Sequence, residues 1–463
     1  MTNDMKIGKL VLRAVLALGF IAINIELSAG NAGENQSSVR EIVAADRIKA
    51  SGLDAVYDFD AVSPAARPKG YKPFYISHYG RHGSRYAYAR ETYTDLLEML
   101  QKAEREDNIT EYGKSLSLRL ADFYEKVRYR VGDLTDKGWN QQKRMAGKMH
   151  SDYPGAFGKG SNVRACASGS IRSIMSMTSF CTELSRIAPK TEIIAHQGLE
   201  YIQATSPNLG TNPFRFKGPK FDFPYAESDE EFLRSFFPEY IDVLGRMFKD
   251  PSKAIEGKSH LWTMDYMYML VGGMNSLDDD VRNDFSDIFT SEEYVKMWEV
   301  DNYLRFCEYY WYRTSCSAIF VDMLDKAEKV IASGGSGADL RFGHDHCLMT
   351  LLMIADLDHF GHFPETPEEL SQYYQTYRSP MAGNLQFIFY RSRRKGAEPL
   401  VRVLLNGQDA ALGDLAHSES IYYAWSDLRD YLRSRIAMFL WAKIIQNGGM
   451  QHILPFAMKA SLN

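Results

Sequence analysis

Cysteine is scarce in this chain. Five of its 463 residues are cysteine, Cys166, Cys181, Cys307, Cys316 and Cys347, and no two of them stand in Cys-x-x-Cys spacing. The absence of that spacing argues against a structural zinc site. The odd count leaves at least one thiol unpaired unless it bonds another chain, and spacing alone assigns no disulfide. Cationic excess is also missing. With 54 Lys and Arg against 59 Asp and Glu, the net charge is -5, and nucleic-acid binding, which needs clustered cations, is set aside. Beyond the first thirty residues no stretch is apolar enough to span a bilayer. Repeats and low-complexity tracts are absent too. What remains is a composition of 45% hydrophobic and 24% charged residues, enough to bury one large core or two.

The N-terminal stretch has a different character. Lys6, Lys9 and Arg13 precede the apolar run 14–23, and the small residues Ser28, Ala29 and Gly30 follow it. This is the layout of a secretory signal peptide over residues 1–30, cleaved after Gly30. The apolar run is about half of the ~20 residues that a membrane-spanning helix needs. A periplasmic or secreted location is the expectation.

Downstream, the pattern changes twice. Pro73 to Ser77 reads as a short buried strand, followed by a glycine-punctuated turn and a helix carrying Leu96, Leu97, Leu100 and Ala103. Residues 161–165 and 192–195 read as strands flanking a helix around Arg172 to Leu184. From 199 to 337 the pattern is helical and aromatic, and Thr290 with Glu293 fits a capping box. Strand character then returns at 338–343, before His344-Asp345 and an apolar helix over 347–357, with further strands at 385–391 and 400–405. The fold class expected is α/β, with a mostly parallel sheet flanked by helices. Residues 31–198 and 338–463 form the α/β domain in this reading, and 199–337 form an inserted all-helical cap.

The densest chemical signal is Gly80-Arg81-His82-Gly83-Ser84-Arg85, placed directly after the first strand. Ligands of open α/β sheets bind beyond the carboxyl ends of the strands. Guanidinium groups fork onto phosphate oxygens, and a neutral imidazole can attack phosphorus. Alone, the same segment also fits a solvated basic turn. His344-Asp345 repeats the position after a strand; a carboxyl there can protonate a departing alkoxide, although a helix cap beside a core histidine is the plainer alternative. Arg164 follows the same logic as a third guanidinium, whereas Arg172 reads as a solvated helix residue.

These residues together resemble the histidine acid phosphatases, the family that includes phytases and multiple inositol polyphosphate phosphatase. Arg81-His82-Gly83-Ser84-Arg85 is similar to the family's Arg-His-Gly-x-Arg signature, and His344-Asp345 to its distant His-Asp motif. Gly132-Asp133-Leu134-Thr135-Asp136-Lys137-Gly138 resembles its Gly-x-Leu-Thr-x-x-Gly turn, and Val163-Arg164-Ala165 its third arginine segment. The resemblance covers 73–405 and implies a phosphoglycerate-mutase-like domain that needs no cofactor and no metal. It makes His82 the nucleophile, Arg81, Arg85, Arg164 and His344 the phosphate clamp, and Asp345 the acid. Two departures stand out. Ala87 occupies the usual proline place, and His344-Asp345-His346 stands where the multiple inositol type has His-Ala-Glu.

Three rival readings stay open: a metal site from His344, Asp345, His346, Asp358, His359 and His362, a receptor that binds phosphate without turnover, and a mutase. The substrate expected is a small phosphomonoester. Arg215, Lys217 and Lys220 are candidates for additional phosphates on a polyphosphorylated ring, against the plainer reading of a solvated basic loop. Trp262, Tyr266, Trp298 and Trp311 read as helix core.

Overall fold

The computed structural model describes residues 38–65, 67–198, 201–207, 228–362, 367–394, 396–417 and 422–446. The expected signal peptide and the three cations Arg215, Lys217 and Lys220 lie outside the described residues. Eight strands are found among the described residues: β1 Tyr71–Arg81, β2 Asn162–Ala167, β3 Glu192–Gln197, β4 Gly337–Gly343, β5 Asn384–Ser392, β6 Leu400–Leu405, β7 Gln408–Asp409 and β8 Tyr422–Ala424. They make one sheet in the order β3-β2-β4-β1-β5-β6-β7, with β8 also on β6. The half that runs β3-β2-β4-β1 is parallel, and beyond β1 the pairing is antiparallel.

Both faces of the sheet are covered, and the strand pattern shows why. Along β5, Leu385, Phe387 and Phe389 enter one core while Ile388 and Tyr390 enter the other, as alternating side chains must. The helices Asp136–Asp152 and Ile171–Ile187 fill one face. The other face carries Glu91–Arg105, Glu111–Val127 and the helices that the chain forms between β3 and β4. In that interval the described residues are helical and contain no strand. Trp298 is fully buried there, as its core reading required. Thr290 and Glu293 form a complete capping box on the helix Ser291–Tyr310, which satisfies two backbone donors at its start.

Two local details differ from the sequence pattern. β1 runs on to Arg81, so Gly80 lies inside the strand rather than in a turn. A Cβ at Gly80 would stand 2.6 Å from the His78 ring; the glycine makes room for a buried imidazole two residues away on the same face. Within the helical pattern of 199–337, the stretch after Thr290 divides into Ser291–Tyr310 and Arg313–Ser333. Trp311 and Tyr312 between them keep right-handed helical dihedrals.

β1 and β4 are parallel neighbours although β2 and β3 come between them in sequence. Their register sets Arg81 opposite Gly343. The residues that follow, His82 and His344, therefore leave the sheet side by side at the carboxyl ends of adjacent strands.

Candidate active site

The turn after β1 is held by main chain. The His82 N–H donates to the Gly343 carbonyl at 3.0 Å, tying the turn to β4. Gly83 packs back to back with Gly138: a Cβ on Gly83 would lie 2.5 Å from the Gly138 oxygen, and one on Gly138 would lie 2.1 Å from the Ser84 oxygen. Only glycine fits either place. The Thr135 N–H donates to the Ser84 carbonyl at 3.0 Å, and the Ser84 N–H donates to Gln141 Oε1 at 2.8 Å. Thr135 also caps the helix Asp136–Asp152 by accepting from the Gly138 N–H. The 132–138 segment is thus the platform beneath the His82 turn.

His82 is buried, with Nδ1 2.9 Å from the Gly83 carbonyl. A carbonyl can only accept, so Nδ1 carries the proton and Nε2 keeps its lone pair. Burial, reinforced by the nearby Arg172, Arg81 and Arg85 guanidiniums, holds the His82 pKa well below the usual imidazole range. The ring is neutral and nucleophilic at mildly acidic pH.

Three guanidiniums surround it. Arg81 is anchored through Nη1 to the Leu53 and Ser379 carbonyls, both at 2.5 Å. Arg85 donates to the Tyr86 carbonyl at 3.1 Å, stands 4.0 Å from Asp54 and lies over the Tyr88 ring. Arg172 is the third. Burial, with Arg85 close by, lowers its pKa to about 10, so the solvated reading of this residue is corrected. The Nε atoms of all three are buried and have no hydrogen-bond partner, and the same is true of Ser84 Oγ. Unpaired buried donors are costly, and three guanidiniums close enough to act on one imidazole make a site suited to an anion.

Arg164 does not join this ring. It sits in mid-strand on β2, where it donates from Nε and Nη2 to both carboxylate oxygens of Asp339, each at 2.8 Å. Tyr75 donates to the same carboxylate at 2.7 Å. The register that pairs Arg164 with Asp339 stops short of the strand ends, and the fork is fully used there. The sequence expectation for Arg164 is corrected on this geometry.

His344 and Asp345 open the helix Asp345–Ala355 at the end of β4. The His344 and His82 rings meet edge to face at 5.6 Å. His344 Nε2 is engaged with Ser168 Oγ at 2.8 Å. Burial, with His346 and Arg172 adding to it, lowers its pKa to about 3, so it can clamp an oxyanion only as a neutral dipole. Asp345 stands 3.8 Å from Arg81 Nε and accepts from the Tyr309 hydroxyl at 2.9 Å. Burial alone would raise its carboxyl, but Arg81 first and His346 second hold it well below the usual range. Of the predicted residues, then, His82, Arg81, Arg85, His344 and Asp345 are brought together.

Tyr309 and Asp54 carried no sequence signal, because one lies in a helix full of aromatics and the other ends a short 3-10 helix with no motif. Arg172 stood in view, eight residues beyond Arg164, but nothing in its spacing showed that the helix start aims it inward. The six side chains of the alternative metal reading do not gather. Asp358 pairs with Arg378, and His362 stands 3.4 Å from Glu369 and against the Tyr373 ring. Among the described residues no group of three or more His, Cys, Asp or Glu side chains converges as a metal site.

The sheet order, the carboxyl-end site and the helices on both faces define the chain as one with the fold of histidine acid phosphatases. The particular likenesses are to solved phosphatases. The Bifidobacterium longum multiple inositol polyphosphate phosphatase in complex with phosphate matches at TM-score 0.63 and 16% identity, over 84% of this chain and 98% of that one. Its complex with inositol hexasulfate matches at 0.61 and 17%, over 83% and 97%. The phytase from D. castellii matches at 0.60 and 16%, over 90% of each chain. No family model and no curated sequence matches the chain.

Proposed function

We propose that the protein is an exported phosphatase that hydrolyses phosphomonoesters through a phosphohistidine on His82, with Asp345 as proton donor. The observation that carries the reading is the buried His82, its Nδ1 pinned to Gly83 and its pKa depressed by burial and by three guanidiniums whose Nε donors are unpaired. In the first step Nε2 bonds to phosphorus, the ester P–O bond breaks, and the leaving oxygen takes a proton from the Asp345 side. In the second, water attacks phosphorus, the P–N bond breaks, and Asp345 takes the water's proton. Arg81, Arg85 and Arg172 stabilise the equatorial oxygens throughout.

The depressed Asp345 carboxyl bears on this scheme, because an acid must hold a proton. The Arg81 guanidinium and His346 hold the Asp345 carboxyl ionised. A bound phosphoryl dianion offsets them and lets burial raise the carboxyl, and a substrate that enters as its monoanion brings the same proton with it.

The residues 31–198 and 338–463 are the catalytic body in this reading, and 199–337 a helical cap over its carboxyl edge. The segment 1–30 directs export to the periplasm or beyond. The solved structures similar in fold include an inositol polyphosphate phosphatase bound to inositol hexasulfate, which makes inositol polyphosphates the first substrates to try, with Arg215, Lys217 and Lys220 as contacts for further phosphates. The test is phosphate release from inositol polyphosphates, sugar phosphates and nucleotides between pH 4 and 7. Release that vanishes in His82→Ala, with a radiolabelled, acid-labile phosphoenzyme trapped from the unsubstituted protein, is the expected result. Tight phosphate binding without any turnover would turn the assignment to a receptor.

A further inference from the structure

The proton donor is held from the opposite side by a residue of the helical interval. Tyr309 is the penultimate residue of the helix Ser291–Tyr310, so it belongs to neither strand end that supplies the chemistry. It is 5% exposed. Its ring packs against Tyr312 at 5.7 Å and edge to face with His346 at 6.2 Å, which fixes where its hydroxyl points. That hydroxyl lies 2.9 Å from Asp345 Oδ2, while Oδ1 is the oxygen nearest Arg81 Nε, at 3.8 Å.

We propose that Tyr309 is a positioning residue for the proton donor: by donating its hydroxyl hydrogen to Oδ2, it leaves Oδ1 as the oxygen that exchanges the catalytic proton. The inference rests on the reading of Asp345 as the acid. A lone pair that already accepts a hydrogen bond is a poorer place for a proton, so protonation of the carboxyl is directed to the other oxygen. Oδ1 is the oxygen on the side of the Arg81 guanidinium, where a phosphoryl group would sit. Burial, with the Asp345 charge beside it, pushes the Tyr309 phenol well above its usual range, so the hydroxyl stays a donor throughout the working pH. Asp345 carries the proton; Tyr309 decides from which oxygen.

Leaving groups that differ in basicity separate this role from a merely structural one. An alkyl phosphate such as glycerol 2-phosphate needs the acid, whereas p-nitrophenyl phosphate, with a weakly basic leaving group, barely does. In Tyr309→Phe, kcat for the alkyl ester is expected to fall about tenfold relative to the aryl ester. The basic limb of the kcat profile should move to higher pH, since the carboxylate loses a donor. The ratio of the two substrates does not depend on how much of the variant folds. Incorporation of 3-fluorotyrosine at 309, a stronger donor of nearly the same shape, should move the limb the other way. Asp345→Asn run beside them separates the two ideas. If Asp345→Asn spares the alkyl ester, the acid assignment itself is wrong. If Asp345→Asn is selective but both Tyr309 variants keep the ratio and the limb of the unsubstituted protein, only the role of Tyr309 is overturned.

Discussion

Arg164 and Asp339 form a doubly hydrogen-bonded pair in mid-sheet, at 2.8 Å through both carboxylate oxygens, and the guanidinium that acts most strongly on His82 is that of Arg172. The two arginines are therefore expected to respond differently to truncation. Arg172→Ala should lower kcat/KM about 100-fold, because a buried cation aimed at the transferring group is lost. Arg164→Ala should leave kcat/KM within about threefold. It should cost about 1–2 kcal/mol of stability in denaturant unfolding, less than a fully buried pair, since the Arg164 side chain is 39% exposed. A large activity loss from Arg164→Ala, with Arg172→Ala harmless, would restore the sequence assignment.

The activity should be confined to the acidic side of neutrality. Burial and the neighbouring guanidiniums depress the His82 pKa, which moves any acid limb from this imidazole downward. Asp345, depressed as well, is ionised in the free protein, and the proton needed by the leaving group arrives with the substrate monoanion. That monoanion disappears above pH ~6, the second pKa of a phosphomonoester. The kcat/KM for an alkyl phosphate should then approach a tenfold fall per pH unit, and a profile that stays level to pH 8 contradicts the scheme.

The helix Asp136–Asp152 holds two glycines with opposite surroundings. At Gly138 a Cβ would press on the Ser84 backbone at 2.1 Å, while at Gly147 nothing lies within 4 Å. Gly138→Ala is expected to cost about 2–4 kcal/mol and to lower kcat at least tenfold, since the His82 turn must shift. Gly147→Ala is expected to stabilise by about 0.5–1 kcal/mol without touching activity. Thermal melting and steady-state rates on the two variants check both.

Acid should weaken the fold through His78. This imidazole is buried in the sheet with Nδ1 unpartnered, and burial, with Arg341 adding to it, lowers its pKa to about 3. The unfolded chain takes up a proton near pH 6.5 that the folded chain refuses, so the stability is present above that value and is lost as pH falls towards 3. Each such group gives a slope of about 1.4 kcal/mol per pH unit. His78→Leu should flatten the stability curve between pH 6 and 4 by about that amount. Urea titrations at several pH values measure it, and an unchanged slope would show that His78 is already charged in the fold.

The parts of this molecule that could be read from sequence are those with a local cause. β6 was legible to the residue, and the capping box at Thr290 and Glu293 followed from two side chains three apart. His82 and His344-Asp345 could be found because a strand end is a local event and both follow one. What stayed hidden depends on register. Whether Arg164 or Arg172 reaches the imidazole is settled by how far β2 extends against β4, which no local pattern specifies. Tyr309 was hidden for a related reason: which tyrosine of an aromatic helix meets Asp345 is decided by how that helix docks, and the helix also offers Tyr294, Tyr303 and Tyr310.

Gly83 and Gly138 touch through their backbones, with no side chain between them. The aim of the reactive nitrogen is therefore set by two stretches of polypeptide pressed together. A protein engineer could remodel the exposed Tyr88 beside Arg85 and leave the His82 turn where it is, provided those two alpha carbons stay bare.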